Sequence, residues 1–209
     1  DGQINMESAK QLIGSKTRLV AVTQMSNVLG TITPVQELAR LAHQHNALIL
    51  VDGAQGVPHL KTSVAELECD FYVFSLHKML GPTGVGILWG KKEILNAMPP
   101  FMFGGDMISS VHRDKSRWNE LPWKFEAGTP NIADVIASGV AIEYLQNLGM
   151  DNVRAHEVEI TEYALKRLSE VKGITIYGPK DANLRGGVVA FNVEGIHPHD
   201  LGQILSDSG

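Results

Sequence analysis

The chain has 209 residues, 44% of them hydrophobic and 20% charged, and a formal net charge of −5. That composition is ordinary for a globular protein with one large core, or a large and a small one; no basic block suggests nucleic acid as a partner and no apolar run approaches a membrane span. The single cysteine, Cys69, excludes an intrachain disulfide and fits a reducing compartment.

The chain opens on Asp1, with no signal-like segment, and residues 200–209 read as a helix only just begun. The expectation is an internal piece of a longer protein. Residues 6–13 suit a short helix, and residues 19–22 a strand ending in the polar cluster Thr23 to Asn27. Thr33-Pro34-Val35-Gln36 reads as a capping box opening a helix, with Val35, Leu38, Ala39 and Ala42 on one face. His43 and His45, two apart on that helix, do not share a face and read as surface residues. Residues 47–51 form an apolar run that ends in Asp52. Ser63-Val64-Ala65-Glu66 is a second capping box, and Cys69 then precedes a buried strand, where a small apolar residue belongs.

That strand, residues 71–74, turns polar at once at Ser75, His77 and Lys78, with the tight turn Gly81-Pro82-Thr83-Gly84 behind. Two β-α-β units in succession predict a parallel sheet with right-handed crossovers. Residues 84–89 are a further strand and 91–97 a helix stopped by Pro99 and Pro100; Lys91-Lys92 and Lys166-Arg167 read as solvated helix faces. Residues 101–123 look irregular. Gly128-Thr129-Pro130-Asn131 starts an apolar helix over 132–148. An amphipathic helix follows over 150–171, with Val153, Ile160, Ala164, Leu168 and Val171 as its stripe. Strands at 174–177 and 188–193 precede His197-Pro198-His199-Asp200, which fits a helix cap better than a metal pair. The change of texture near residues 148–151 predicts two units, 1–148 from a larger domain and 149–209 from a smaller one.

The chemistry gathers at strand ends, where open α/β sheets bind ligands. Lys78 is either a surface lysine or an amine that forms a Schiff base with an aldehyde cofactor. Asp52 is either a turn former or the acid that keeps the ring nitrogen of pyridoxal phosphate protonated. A strand-end aspartate followed 26 residues on by a strand-end Ser-x-His-Lys favours the second reading of both. Asn27 also suits an Asx turn before Gly30. Thr129 suits either a plain N-cap or an anion such as phosphate at a helix start.

Taken together, Ser26-Asn27-Val28-Leu29-Gly30, Val51-Asp52-Gly53-Ala54-Gln55, Asp70-Phe71-Tyr72-Val73-Phe74-Ser75-x-His77-Lys78-Met79, Gly81-Pro82-Thr83-Gly84 and Phe125-Glu126-Ala127-Gly128-Thr129-Pro130 resemble the cysteine desulfurases of the class V aminotransferase family. The SUF-type group and its selenocysteine lyase relatives are the nearest in pattern. The resemblance covers nearly the whole chain and about half of a full family member. It implies an α/β fold of the pyridoxal-phosphate-dependent fold type I, with a mostly parallel sheet. It implies Lys78, His77 and Asp52 as catalytic residues and Asn27, Asp52, Gln55, Ser75, His77, Lys78 and Thr129 as cofactor-binding, with no metal.

The implied reaction takes sulfur from L-cysteine (or selenium from selenocysteine), leaving alanine and an enzyme persulfide for iron–sulfur cluster assembly. The implied partners are a sulfur-acceptor protein and a second copy in a cytoplasmic homodimer. A selenocysteine lyase, a cysteine sulfinate desulfinase and a non-catalytic scaffold subunit are the alternatives. The nucleophilic cysteine of the family lies on a loop beyond residue 209, so these residues alone are expected to be inactive. Two departures stand out. Leu76, between Ser75 and His77, stands where the family usually has glycine or alanine, which raises the question of crowding near Lys78, and Phe103 interrupts a glycine-rich run before Gly104-Gly105.

Overall fold

The computed structural model describes residues 2–209; Asp1 lies outside them. Four strands form one sheet in chain order: β1 (Leu19–Thr23), β2 (Leu48–Asp52), β3 (Phe71–Ser75) and β4 (Gly86–Gly90). The first three are parallel and β4 returns antiparallel to β3. Thr23 pairs with Asp52 and Asp52 with Val73, so the carboxyl ends of β1, β2 and β3 lie along one edge. This is the mostly parallel α/β sheet that the two β-α-β units predict.

Helix α2 (Val35–Gln44) covers one face. Its buried residues are Val35, Leu38, Ala39 and Ala42, the four that share a face in the sequence. They pack on Ala47, Ile49, Val51 and Tyr72, and each large apolar side chain buried there contributes roughly 1.5–3 kcal/mol. The capping box at Thr33 does not form. The N-cap is Pro34, and the Gln36 amide instead reaches across to donate to the carbonyl of Glu66 at 2.9 Å. The second box is half realised: the Ser63 hydroxyl accepts the Glu66 N–H at 3.3 Å and opens α3 (Val64–Leu67).

Short α1 (Met6–Leu12) precedes the sheet, and α4 (Lys92–Ala97) follows β4. The stretch expected to be irregular holds a small hairpin, β5 (Ile108–Val111) with β6 (Ser116–Trp118). Its alternation is interrupted by a register shift between Ile108 and Ser110, which hides a strand pattern from the sequence. Phe103 packs against this hairpin, its ring tilted by 56° to that of Trp118 with the centroids 5.4 Å apart. Helices α5 (Ile132–Leu148) and α6 (Met150–Ser169) follow, then β7 (Ile174–Tyr177) paired antiparallel with β8 (Ala190–Val193), and α7 (Pro198–Asp207). The α7 cap is His197, whose Nδ1 accepts the His199 N–H at 3.2 Å.

The inward face of α6 differs from the expected stripe. Thr161 is buried, while Ile160 and Val171 are exposed. Polar anchoring explains the difference. Glu157 meets His59, and Arg154 donates to the carbonyls of Arg185, Ala182 and Asn183 at 2.9, 2.8 and 3.1 Å.

At the amino edge of the sheet Asp70, 2% exposed, precedes β3. Its Oδ2 accepts the Ile49 N–H at 2.8 Å and lies 2.9 Å from His43 Nε2; its Oδ1 accepts from Lys91 Nζ at 2.6 Å. His43 and Lys91 are thus structural partners, not the free surface groups their sequence setting suggests. Burial alone would raise the Asp70 carboxyl, but hydrogen bonds from Lys91, His43 and Ile49 outweigh it and hold the group below the usual carboxylate range. A carboxyl depressed on folding gives its full stabilisation above its unfolded value of about 4, and loses it as pH falls through the folded value. In the intact protein Asp70→Asn is expected to cost roughly 2–4 kcal/mol near neutrality, measured by denaturant unfolding. The gap from wild type should close as the pH drops below about 4. A gap unchanged in acid would show that the charge contributes nothing.

Candidate active site

Every strand-end residue singled out in the sequence lies at the carboxyl edge or in the turn leaving it. Asp52 ends β2 and its side chain is exposed. Its Oδ1 accepts the Ala54 N–H at 2.9 Å, an Asx turn that fixes the carboxylate. The other oxygen, Oδ2, has no hydrogen-bond partner among the described residues. The turn-forming and ligand-holding readings of Asp52 are therefore compatible. Half-buried Gln55 follows in the same turn.

Ser75 ends β3, two residues past the Val73 that pairs with Asp52. The chain then enters one turn of 3₁₀ helix, Leu76–Met79. Three residues per turn set Leu76 and Met79 on the same side. Both point inward and pack with Leu145 of α5, Leu76 at only 1% exposure. His77 and Lys78 consequently point out, both exposed. Leu76 therefore does not crowd Lys78: it anchors the turn from the opposite side. Leu80, in the left-handed region at φ 65°, ends the turn, and the Gly81 N–H donates to the Leu76 carbonyl at 2.8 Å. Among the described residues Lys78 makes no ion pair and no hydrogen bond.

Asn27 is exposed in the turn after β1. The Ser26 hydroxyl accepts the N–H groups of Val28 and Leu29 at 3.2 and 3.1 Å, so Ser26, and not Asn27, builds the turn. This turn is pinned from outside. Gly186 N–H donates to the Gly30 carbonyl at 2.9 Å, and Ile32 N–H to that of Leu184 at 3.0 Å. Between them sits Arg185, fully buried, its guanidinium donating to the carbonyls of Tyr177, Pro179 and Val188. Nothing in its local sequence marks Arg185 as a core residue, because its partners are main-chain carbonyls. Thr129 stands apart from the strand-end group. It lies two residues before the α5 N-cap, Asn131, so the plain N-cap reading of Thr129 is excluded. No hydrogen bond or ion pair among the described residues joins it to the others.

The turn carrying Gln55 is also tied to α6, by His59 with Glu157 and by Lys61 with Asp151 at 3.1 Å. Cys69 is remote from all of this. It sits at the amino edge, 1% exposed, its Sγ 3.8 Å from the Val64 carbonyl oxygen.

The arrangement thus offers a carboxylate with one free oxygen and an unpaired amine, along with hydroxyl, imidazole and amide groups, on one edge of an α/β sheet. Residues 1–209 match the aminotransferase class-V family over their whole length, and the chain belongs to that family. It is 53% identical over 209 residues to a probable cysteine desulfurase of Halalkalibacterium halodurans, covering 100% of this chain and 51% of that protein. It is 50% identical to a cysteine desulfurase of Haloferax volcanii, covering 100% and 49%. The fold superposes on the cysteine desulfurase CsdA of Escherichia coli with a TM-score of 0.91 at 35% identity, covering 98% of this chain and 50% of that one. The chain therefore spans about half the length of the relatives it matches.

Burial pushes the Cys69 thiol up from its ordinary range, which starves it of the reactive thiolate. In the native intact protein Cys69 is expected to alkylate at least roughly 100-fold more slowly than in the unfolded chain. Timed alkylation near pH 8 with peptide mapping checks this; rapid native labelling would contradict its burial.

Proposed function

We propose that this chain forms part of a pyridoxal-phosphate-dependent cysteine desulfurase, which takes sulfur from L-cysteine and leaves L-alanine. The observation that carries the reading is the pairing of Asp52, with one carboxylate oxygen unused, and Lys78, with an exposed and unpaired amine, on the same edge of the sheet. The donor set fits the cofactor: an acid for a ring nitrogen, an amine for an aldehyde, and hydroxyl, imidazole and amide groups for oxygen atoms. When bound, pyridoxal phosphate supplies an electron sink conjugated to the substrate's α-carbon.

The residues of this chain divide the remaining work. Asp52 would hold the ring nitrogen and keep it protonated, since an opposite charge close by favours the charged form. Asn27 and Gln55 would hold the ring hydroxyl oxygen, and Ser75 and His77 the phosphate. The Lys78 amine would bind the aldehyde carbon in the resting enzyme and then take the substrate's α-proton. Thr129 would serve the phosphate in a neighbouring subunit. Leu76 and Met79 hold His77 and Lys78 outward by packing beneath the turn.

Cys69 is buried at the wrong edge to accept sulfur, so the acceptor cysteine of this reading lies outside these residues. The exposed apolar side chains Ile132, Val135, Ile136 and Val140 of α5 support a homodimer. Division into a larger unit, 1–148, and a smaller one, 149–209, is supported by the separate β7–β8 sheet. A sulfur-acceptor protein, a role in iron–sulfur cluster assembly and a cytoplasmic setting complete the proposal. No helix among the described residues is long and apolar enough to cross a membrane.

Borohydride reduction of the cofactor-loaded intact protein, followed by peptide mapping, is expected to label Lys78. A label on Lys61, Lys91 or Lys92 would overturn the assignment. Asp52→Asn is expected to keep the cofactor and to lower alanine release from cysteine roughly 10²-fold, because a charge aimed at the reacting system is lost. Near-normal turnover would reduce Asp52 to a turn former.

A further inference from the structure

The turn that carries Asp52 and Gln55 rests on two buried polar side chains that the proposed chemistry does not use. Tyr72, on β3, is 1% exposed, and Gln24, just past β1, is 5% exposed. The Tyr72 hydroxyl donates to Gln24 Oε1. Gln24 Nε2 donates in turn to Thr62 Oγ1 at 3.3 Å, and that hydroxyl to the Leu60 carbonyl at 3.2 Å. The chain of donors therefore ties the pair to the far end of the connection that leaves Asp52, at Leu60 and Thr62.

The pair stands directly against the turn. A Cβ built at Gly53 would overlap the Tyr72 hydroxyl oxygen, and one at Gly56 would overlap Gln24 Oε1. The polar pair occupies the space a side chain would need: one at Gly53 would meet the Tyr72 ring, and one at Gly56 would displace the Gln24 amide. The main chain of Gln24 holds the same turn: its N–H donates to the Asp52 carbonyl at 2.8 Å. On the other side the Gly53 N–H donates to the Val73 carbonyl at 2.8 Å. Asp52 and Gln55 thus leave a stretch of backbone fixed from below by directional bonds.

We propose that Tyr72 and Gln24 are positioning residues that set the height of the 52–56 turn above the sheet, and through it the place of the Asp52 carboxylate and the Gln55 amide. The inference rests on the reading of Asp52 and Gln55 as cofactor-holding residues. An apolar pair of similar volume would fill the core and keep the main-chain bonds, but it would lose the Tyr72–Gln24–Thr62 bonds that hold the two side chains at one height against Gly53 and Gly56. Placement matters because a shift of about 1 Å at a reacting centre costs on the order of 10²-fold in rate. Burial pushes the Tyr72 hydroxyl far above its ordinary range, so it remains a neutral donor across the working pH. Gln24 does not titrate. The seat therefore keeps one geometry while the site above it gains and loses protons.

The test uses the intact protein loaded with pyridoxal phosphate and the variants Tyr72→Phe, Gln24→Leu and the two combined. The readouts are the cofactor's dissociation constant, the pH midpoint of its bound absorption change, and the melting temperature. Each single variant is expected to raise the dissociation constant about tenfold and to move the midpoint by about one pH unit. The double variant leaves no buried orphan, so its melting temperature should return close to wild type while the midpoint stays displaced. It therefore decides the matter even where a single variant folds poorly. A midpoint and affinity unchanged in the double variant would make the pair merely structural and overturn the role. Lys78→Ala and Asp52→Asn run in parallel. If both leave the cofactor spectrum as in wild type, the reading of the site itself fails, and the positioning role fails with it.

Discussion

The parallel hydrogen-bond ladder does not stop where the strands stop. Gln24 N–H still donates to the Asp52 carbonyl and Gly53 N–H to that of Val73, each at 2.8 Å, one residue beyond the strand ends. This one extra rung determines what the edge can do. It holds the first residues of two connections, Gln24 and Gly53, against the neighbouring strand before the chains diverge. Asp52, the turn after β1 and Ser75 then depart from fixed backbone instead of from loose loops. In an open α/β sheet that edge is where a ligand can be gripped from several strands at once. Pre-organisation is delivered by the main chain, and the side chains inherit it.

Much of this was legible in the amino-acid order. The α2 face and the strands ending at Asp52 and Ser75 follow from period and polarity alone, because each is a local pattern decided by one buried face, while the bounds of α5 follow from an apolar run set between Asn131 and Gly149. Asp52 and Lys78 were legible for the same reason: polar groups that abruptly end an apolar run lie at a strand end. What stayed hidden depends on distant partners. Arg185 looks like a surface residue until its carbonyl acceptors on Tyr177, Pro179 and Val188 are in place. Glu157 and Thr161 break the apolar stripe of α6 because that helix docks partly through a histidine nearly a hundred positions earlier. The capping box at Thr33 gives way because the Gln36 amide that would close it finds its acceptor on another connection.

Leu76 shows the limit of reading a neighbour from its position in the chain. Adjacent to Lys78 by number all but one, it would sit beside the lysine in an extended strand. In a 3₁₀ turn the neighbours alternate differently, and i and i+3 share a side. Leu76 therefore pairs with Met79 and leaves Lys78 alone. A bulky residue here changes how firmly the turn is seated on α5, and not how much room the amine has. The turn's conformation, which sequence pattern does not specify, decides between those two consequences.

The same logic separates two acids that look alike in sequence, since each borders an apolar run. Asp52 follows its run and Asp70 precedes one. In parallel strands this places them on opposite edges. Asp70 meets Lys91, His43 and the Ile49 N–H and has its charge fully matched inside the protein; Asp52 meets only the Ala54 N–H and keeps one oxygen free. The antiparallel return of β4 completes the separation. Because Gly90 pairs with Phe71, the chain arrives back at the amino edge before Lys91, which is thereby delivered to Asp70. Lys78 leaves β3 at the other edge with no such partner. Strand direction, more than residue type, is what makes one lysine–aspartate set a brace and leaves the other open for chemistry.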